Sequence, residues 1–269
     1  MTPSPNSICY LICVFNDQQG LETTLASVFA DDPLADILIV DDGSKTAITL
    51  PDIPSGFEAT LMRLNENLGL IGALNAGLMR IMEGNYRYIA RLDAGDTVNN
   101  GRLKAQYEYM ESHPDIGLLG TQLRAFDKKS GKTLFYFKNP VGAKRVSQTL
   151  KVKNCLAHPS VMIRRDVFEK VGLYNPDFKY SEDYEMWRRI DRHFGVNNLI
   201  DVFVNKEIYP NQITAVNRRG SALSKLRTQM KYFNPLDIWC WIGVFRTLIS
   251  LIIPRNLLLF IRSKLSSIS

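Results

Sequence analysis

Carboxylates stand in tight clusters where apolar segments end, at Asp41-Asp42-Gly43-Ser44, Asp93-Ala94-Gly95-Asp96 and Glu182-Asp183, and this placement narrows the chemistry open to them. Adjacent acids at the end of a buried strand are costly unless something binds them. Asp42 can accept from a base N–H or a ribose hydroxyl, with Gly43 allowing close backbone approach. An Asp-Gly turn capped at Ser44 would use the same residues. Asp93 and Asp96 follow Arg91-Leu92 and are three residues apart. That spacing suits a hard divalent cation, Mn2+ or Mg2+, shared with diphosphate oxygens. The plainer alternative is an acid-rich turn capping the next helix.

Glu182 and Asp183 open an amphipathic segment, and a helix N-terminus keeps carboxylates ionised. A general base there needs burial or a neighbouring acid to lift its pKa, and Glu182 is such a neighbour for Asp183. A capping box built on Ser181 is the structural alternative. Small residues at Gly69, Gly72, Ala73, Ala76 and Gly77 let a helix approach either a sheet or a ligand closely. His158, before Pro159, could touch a diphosphate or an acceptor, or serve packing alone. Arg164 and Arg165 are candidate diphosphate partners, with one of them expected at the surface. Two phosphate motifs are excluded. GxGxxG is absent, and Ser130-Gly131-Lys132-Thr133 has Phe126 where a P-loop needs its first glycine.

The elements that must hold these residues alternate. Apolar, β-branched runs at Ile8 to Phe15, Ile37 to Val40, Ala59 to Leu64 and Tyr88 to Leu92 are separated by helical segments near Gln19 to Ala30 and Gly69 to Met82. A mostly parallel sheet with helices on both faces follows, with ligands at the carboxyl ends of the strands. Further on, the pattern predicts a helix over Arg102 to Ser112, a strand over Ile116 to Thr121 and a hairpin turning at Lys129 to Gly131. A strand over Ser160 to Arg164 and a helix over Asp183 to Phe194 come next.

The chain of 269 residues is 45% hydrophobic, enough for a sizeable core. Its four scattered cysteines suggest neither a disulfide framework nor a zinc site, which suits a reducing cytosol, and the apolar start reads as a first strand rather than a leader. The net charge of +6 is uneven: residues 213–269 hold nine Lys and Arg against Asp237 alone, a balance of +8, leaving −2 elsewhere. In this tail Ser221 to Phe233 reads as a basic helix. Ile238 to Ile253 is nearly all apolar, interrupted by Arg246 and ended by Pro254. A spanning helix needs about 20 apolar residues, so this run is expected to lie in a membrane interface, with Arg246, Arg255, Arg262 and Lys264 toward anionic headgroups. Its aromatics sit in an aliphatic run, which favours lipid over nucleic acid. Packing on the core or on another subunit is the alternative.

Taken together, the order and spacing of these pieces resemble glycosyltransferase family 2, the inverting GT-A enzymes. The matching strings are Val40-Asp41-Asp42-Gly43-Ser44, Asn67-Leu68-Gly69 with Asn75-Ala76-Gly77, and Asp93-Ala94-Gly95-Asp96. They continue with His158-Pro159-Ser160 through Arg165, Gly172-Leu173-Tyr174, and Glu182-Asp183-Tyr184. The resemblance implies a GT-A fold whose nucleotide-sugar contacts fall on Phe15, Asp41, Asp42, Asn67, Gly69, Asn75, Arg91 and Asp93. Asp42 and Phe15 would lie at the base, Asp93 and Asp96 at the ribose, diphosphate and metal, and Asp183 would deprotonate the acceptor with Glu182 beside it. The family's Asp-x-Asp-Asp is broken by Gly95, so either Asp96 takes the cation or metal dependence weakens.

The expected division is a nucleotide-sugar-binding half over 1–100, an acceptor-binding and catalytic half over 101–212, and a membrane-associating tail over 213–269. The expected reaction moves a sugar from a nucleotide-diphosphate donor, uridine by default, to a glycan, in cell-surface polysaccharide synthesis. The acceptor is expected to be lipid-linked, at the cytoplasmic face of the inner membrane. The rivals are a sugar nucleotidyltransferase, for which Asn16 to Gly20 lacks the glycine-rich basic loop, and a membrane-bound scaffold without catalysis.

Overall fold

Aliphatic and β-branched runs punctuated by Gly and Asp build the first half as β1 (Ile8–Val14), α1 (Gln18–Phe29), β2 (Asp36–Asp41), β3 (Ala59–Arg63), α2 (Gly69–Met82) and β4 (Tyr88–Asp93). In the computed structural model, which describes residues 7–31, 34–127, 130–208 and 218–252, β1 pairs in parallel with β2 and β4, and β2 with β3. The carboxyl ends of β1, β2 and β4 therefore share one edge of the sheet. Phe15, Asp42 and Asp93 sit there.

Beyond β4 come β5 (Thr97–Val98), α3 (Arg102–Ser112), β6 (Ile116–Asp127), β7 (Thr133–Phe137), α4 (Ala143–Val152), β8 (Met162–Arg164), α5 (Arg165–Val171), α6 (Glu182–Ile190) and β9 (Gly195–Ile208). Among the described residues, one sheet has the order β3-β2-β1-β4-β8-β6-β9-β5, with β7 paired to β6. Parallel order holds over β3 to β4; β8 then runs antiparallel to both β4 and β6.

Side chains alternate across the sheet. Cys9 and Leu11 of β1 join a core with α2, α4, α5 and α6, whereas Ile8, Tyr10, Ile12 and Val14 face α1 and α3. Each fully buried aliphatic side chain contributes about 1.5–3 kcal/mol. Helices thus cover both faces, as the α/β pattern predicts.

The second half departs from the sequence expectations in three places. Ser160 belongs to a 3-10 turn, His158–Ser160, because its hydroxyl donates to the Ala157 carbonyl and accepts from Thr121 N–H. The strand starts only at Met162. Helix α6 begins at Glu182 and stops at Ile190, where the backbone turns into β9. No strand was expected over Gly195–Ile208, where Asn197, Asn198 and Asp201 break the apolar alternation. Its antiparallel pairing with β5 sets Asn205 opposite Thr97 and so brings the next residue, Lys206, to the turn after β4.

The tail supplies helices Arg218–Lys231 and Ile238–Ile252, and both pack on the sheet domain. Buried Glu185 accepts from Lys231 Nζ at 2.8 Å and from the Tyr232 hydroxyl at 2.6 Å. Lys151 Nζ donates to Asp237 at 2.6 Å, and Gly243 lies so close to α4 that a Cβ would stand 2.3 Å from the Lys151 carbonyl oxygen. Packing on the core accounts for the inner side of this hairpin. The outer side exposes Ile238, Trp241, Ile242, Phe245 and Ile249. Among the described residues no helix is long and apolar enough to cross a membrane. Lys129 and the tail positions Ile253, Pro254, Arg255, Arg262 and Lys264 lie outside the described residues.

Candidate active site

The β1 and β2 ends are stitched together before they meet any ligand. Asn16 N–H donates to Ser44 Oγ and Lys45 N–H to Asn16 Oδ1, each at 2.8 Å. Phe15 beside them is 46% exposed, an apolar ring left in the open at a strand end. Asp41 is wholly buried, and its carboxylate accepts from Ser44 N–H at 2.9 Å with Arg63 at 3.5 Å. It shapes the loop and presents no oxygen to the cleft, which corrects its expected place among the nucleotide contacts.

Asp42 ties that loop to α2, whose N-terminus has no side-chain cap of its own. Its Oδ1 accepts from Leu68 N–H at 2.8 Å and its Oδ2 from Asn67 Nδ2 at 3.1 Å. Burial raises its pKa against the pull of the Leu68 and Gly69 amides. Each oxygen keeps a lone pair for a further donor. Gly69 has a positive φ of 73°, which a side-chain-bearing residue adopts only at a cost. Asn75 turns away from this edge: its amide donates to the Tyr174 carbonyl and accepts from Tyr174 N–H, both at 2.9 Å. Its expected contact with donor gives way to holding the Gly172-Leu173-Tyr174 loop.

The β4 end carries the densest charge. Arg91, 3% exposed, donates to Asp93 Oδ1. Lys206 Nζ lies 3.2 Å from Asp93 Oδ2 and 3.2 Å from Asp96 Oδ2. Burial pushes the Asp93 carboxyl upward, but Arg91 and Lys206 outweigh it and hold it below the usual carboxylate range. Asp96, buried more deeply, is raised to about 7 by desolvation despite Lys206. The ammonium of Lys206 also loses hydration, and the two carboxylates more than restore its proton affinity. Gly95 has φ +92°, and its N–H donates to Thr24 Oγ1 at 2.9 Å. The turn is thus built for glycine, and an aspartate there would be strained.

Asp93 and Asp96 are the residues that would hold a divalent cation together with donor phosphate oxygens. An ion bridging their two Oδ2 atoms does not fit beside Lys206, whose ammonium holds that position.

Ser181 is the N-cap residue of α6, but its side chain makes no capping bond; its hydroxyl meets Ser224 at 2.5 Å, so the capping-box alternative does not describe this helix. Asp183 Oδ2 accepts from Asn154 Nδ2 at 2.7 Å and its Oδ1 from Tyr184 N–H at 2.6 Å. Burial raises the Asp183 pKa. Burial and then the Asp183 charge push Glu182 up to about 7, and the charges of Asp93 and Arg91 reach it as well. Glu182 therefore lies within electrostatic reach of the β4 cluster. His158 lies between them, its Nε2 3.0 Å from the Tyr174 hydroxyl and its ring edge-on to Trp187 at 5.7 Å. Burial, then Arg91, lowers its pKa to about 3, so it is neutral at ordinary pH.

Arg164 is not brought to this site. It pairs in register with Tyr88, at the amino end of β4, and donates to the Tyr88 hydroxyl and the Ile116 carbonyl, each at 2.8 Å. Arg165 likewise binds the Met82 carbonyl at 2.7 Å. Both are structural ties at the far end of the sheet. Asn154 and Lys206 were missed by sequence reasoning: Asn154 carries no motif, and Lys206 lies on the unassigned strand β9.

The family model described as Glycosyl transferase family 2 matches residues 9–172. The chain is 31% identical over 228 residues to the amylovoran biosynthesis glycosyltransferase AmsE of Erwinia amylovora, covering 82% of each. Over 121 residues it is 36% identical to the O-antigen biosynthesis glycosyltransferase WbnJ of Escherichia coli, covering 45% of this chain and 46% of that one. Among solved structures, mannosyltransferase PcManGT from Pyrobaculum calidifontis in complex with GDP-Man and Mn2+ superposes with a TM-score of 0.66 at 13% identity, over 93% of this chain and 74% of that one. S. aureus TarS 1-349 in complex with UDP-GlcNAc gives 0.64 at 13% identity, over 91% and 70%. These two likenesses are of fold, the GT-A arrangement.

Proposed function

The chain belongs to glycosyl transferase family 2 and is a glycosyltransferase, and from that premise we propose that it transfers a sugar with inversion, using Asp183 as general base. The acceptor hydroxyl oxygen attacks the anomeric carbon while the bond from that carbon to the donor's phosphate oxygen breaks. The electron pair leaves on the nucleoside diphosphate, and the hydroxyl proton passes to Asp183. A single displacement of this kind needs a base and orientation, with no protein nucleophile.

One observation carries this reading: a carboxylate held by Asn154, with its pKa raised by burial, stands next to Glu182, which feels the charges of Asp93 and Arg91. In this proposal the donor lies over residues 1–100, with its base near Phe15, Asp42, Asn67 and Gly69 and its ribose and diphosphate at Arg91, Asp93 and Asp96. Residues 101–212 present the acceptor. Thermal stabilisation by UDP, GDP and dTDP tests the donor half, and its loss in Asp93→Ala is expected. Stabilisation by none of the three would contradict it.

The acceptor in this reading is a glycan of cell-surface polysaccharide assembly, supported by the names of AmsE and WbnJ, and its lipid linkage is proposed from the exposed apolar face of the tail. The exposed apolar face of Ile238–Ile252, with exposed Arg246 beside Phe245, would rest on an anionic, cytoplasm-facing membrane surface. Co-sedimentation with phosphatidylglycerol vesicles should be lost when Ile242, Phe245 and Ile249 are all changed to Ser. Equal co-sedimentation of that variant would contradict it.

A further inference from the structure

One nitrogen, Lys206 Nζ, is shared equally by Asp93 Oδ2 and Asp96 Oδ2 at 3.2 Å. A metal ion bridging these carboxylates would sit at about 2.0–2.6 Å from each oxygen, within the space the ammonium fills, and two cations cannot share it. The other oxygen of Asp93 is already engaged by Arg91. Gly95, in its left-handed conformation, offers no third ligand. Lys206 is fixed from behind by the ladder that sets Asn205 against Thr97 and Val204 against Val98.

We infer that the Lys206 ammonium is the resident cation of the donor diphosphate site and serves there in place of a divalent metal ion. The inference rests on the glycosyltransferase reading above. An ammonium has three N–H donors. Two go to Asp93 and Asp96, and the third has no partner among the described residues. The side chain is 28% exposed, so the ammonium is open to a ligand from solvent. Held between the carboxylates, Lys206 aims a full positive charge at the phosphate oxygen on which the leaving electron pair collects. Arg91, sharing Asp93, adds a second charge.

The test is calorimetric titration of the full chain with UDP, GDP and dTDP, with EDTA or with Mn2+. It is paired with Mn2+ binding followed by electron paramagnetic resonance on the protein alone. The expected result is nucleotide binding that EDTA leaves within twofold, and no stoichiometric Mn2+ on the wild-type protein. Lys206→Ala should weaken nucleotide binding in EDTA by about ten- to a hundredfold, the value of a charge-assisted hydrogen bond. It should also acquire Mn2+ between the freed carboxylates and regain part of the affinity, while Lys206→Arg keeps metal-independent binding. Wild-type binding that vanishes in EDTA and returns with Mn2+ overturns the inference and leaves the glycosyltransferase reading standing. Binding of none of the three nucleotides under either condition overturns the inference together with the donor half of the proposed mechanism. The wild-type measurements decide the matter even if Lys206→Ala does not fold.

Discussion

Asn154 donates from Nδ2 to Asp183 Oδ2 across 2.7 Å, tying the loop after α4 to the first turn of α6. The same amide is held from behind, its Oδ1 accepting from Leu156 N–H at 3.2 Å. Asn154 is therefore a positioning residue for the proposed base. A base moved by about 1 Å can lose up to about a hundredfold in rate. Asn154→Ala should lower kcat for donor hydrolysis by roughly ten- to a hundredfold with little change in donor KM. A raised KM at unchanged kcat would place Asn154 in binding instead.

The acid pair makes stability depend on pH in a definite direction. Glu182 is raised from 4.5 to about 7, first by burial and then by the Asp183 charge. Between these values the folded chain keeps a proton that the unfolded chain has released, so stability falls as pH rises. The contribution is full below 4.5 and lost on passing about 7. Glu182→Gln should raise the melting temperature above that window and leave it unchanged below. Melting curves across the range check this.

Gly95 is required by backbone conformation. At φ +92° a Cβ would meet only Asp17 Oδ2, at 3.8 Å, so the cost is strain without a clash. Gly95→Ala should destabilise by about 1–2 kcal/mol, read as a lower denaturant midpoint at unchanged slope.

Arg164 separates structure from function. Its guanidinium satisfies the Ile116 carbonyl and the Tyr88 hydroxyl at the far end of the sheet. Arg164→Ala should cost about 1–3 kcal/mol through the groups left unpaired, while UDP or GDP affinity stays the same. A loss of nucleotide affinity in a folded variant would return Arg164 to the donor site.

The half of the fold that could be read from sequence is the half in which strands are short, apolar and bounded by turns. Ile37 to Val40 and Tyr88 to Leu92 announce themselves because parallel strands buried on both faces are nearly continuous in Val, Ile and Leu. Strand β9 is different: it is partly exposed and interrupted by Asn and Asp, so its period is blurred. That hid Lys206, whose contact with Asp96 spans 110 residues of sequence. Arg164 illustrates a second limit. A basic residue beside a family-like string reads as a ligand contact, but β8 runs antiparallel to β4, and direction decides at which end of the sheet the side chain lands. Asp41 and Asn75 were drawn in by neighbours that face the cleft, whereas their own partners are Ser44 and Tyr174.

The most direct measurement of the central claim follows the anomer released during slow hydrolysis of an α-linked UDP- or GDP-sugar by proton NMR. Single displacement with Asp183 as base predicts that the β anomer forms first and that Asp183→Asn, folded and still binding nucleotide, releases no sugar. Initial release of the α anomer, or undiminished hydrolysis by Asp183→Asn, would contradict it.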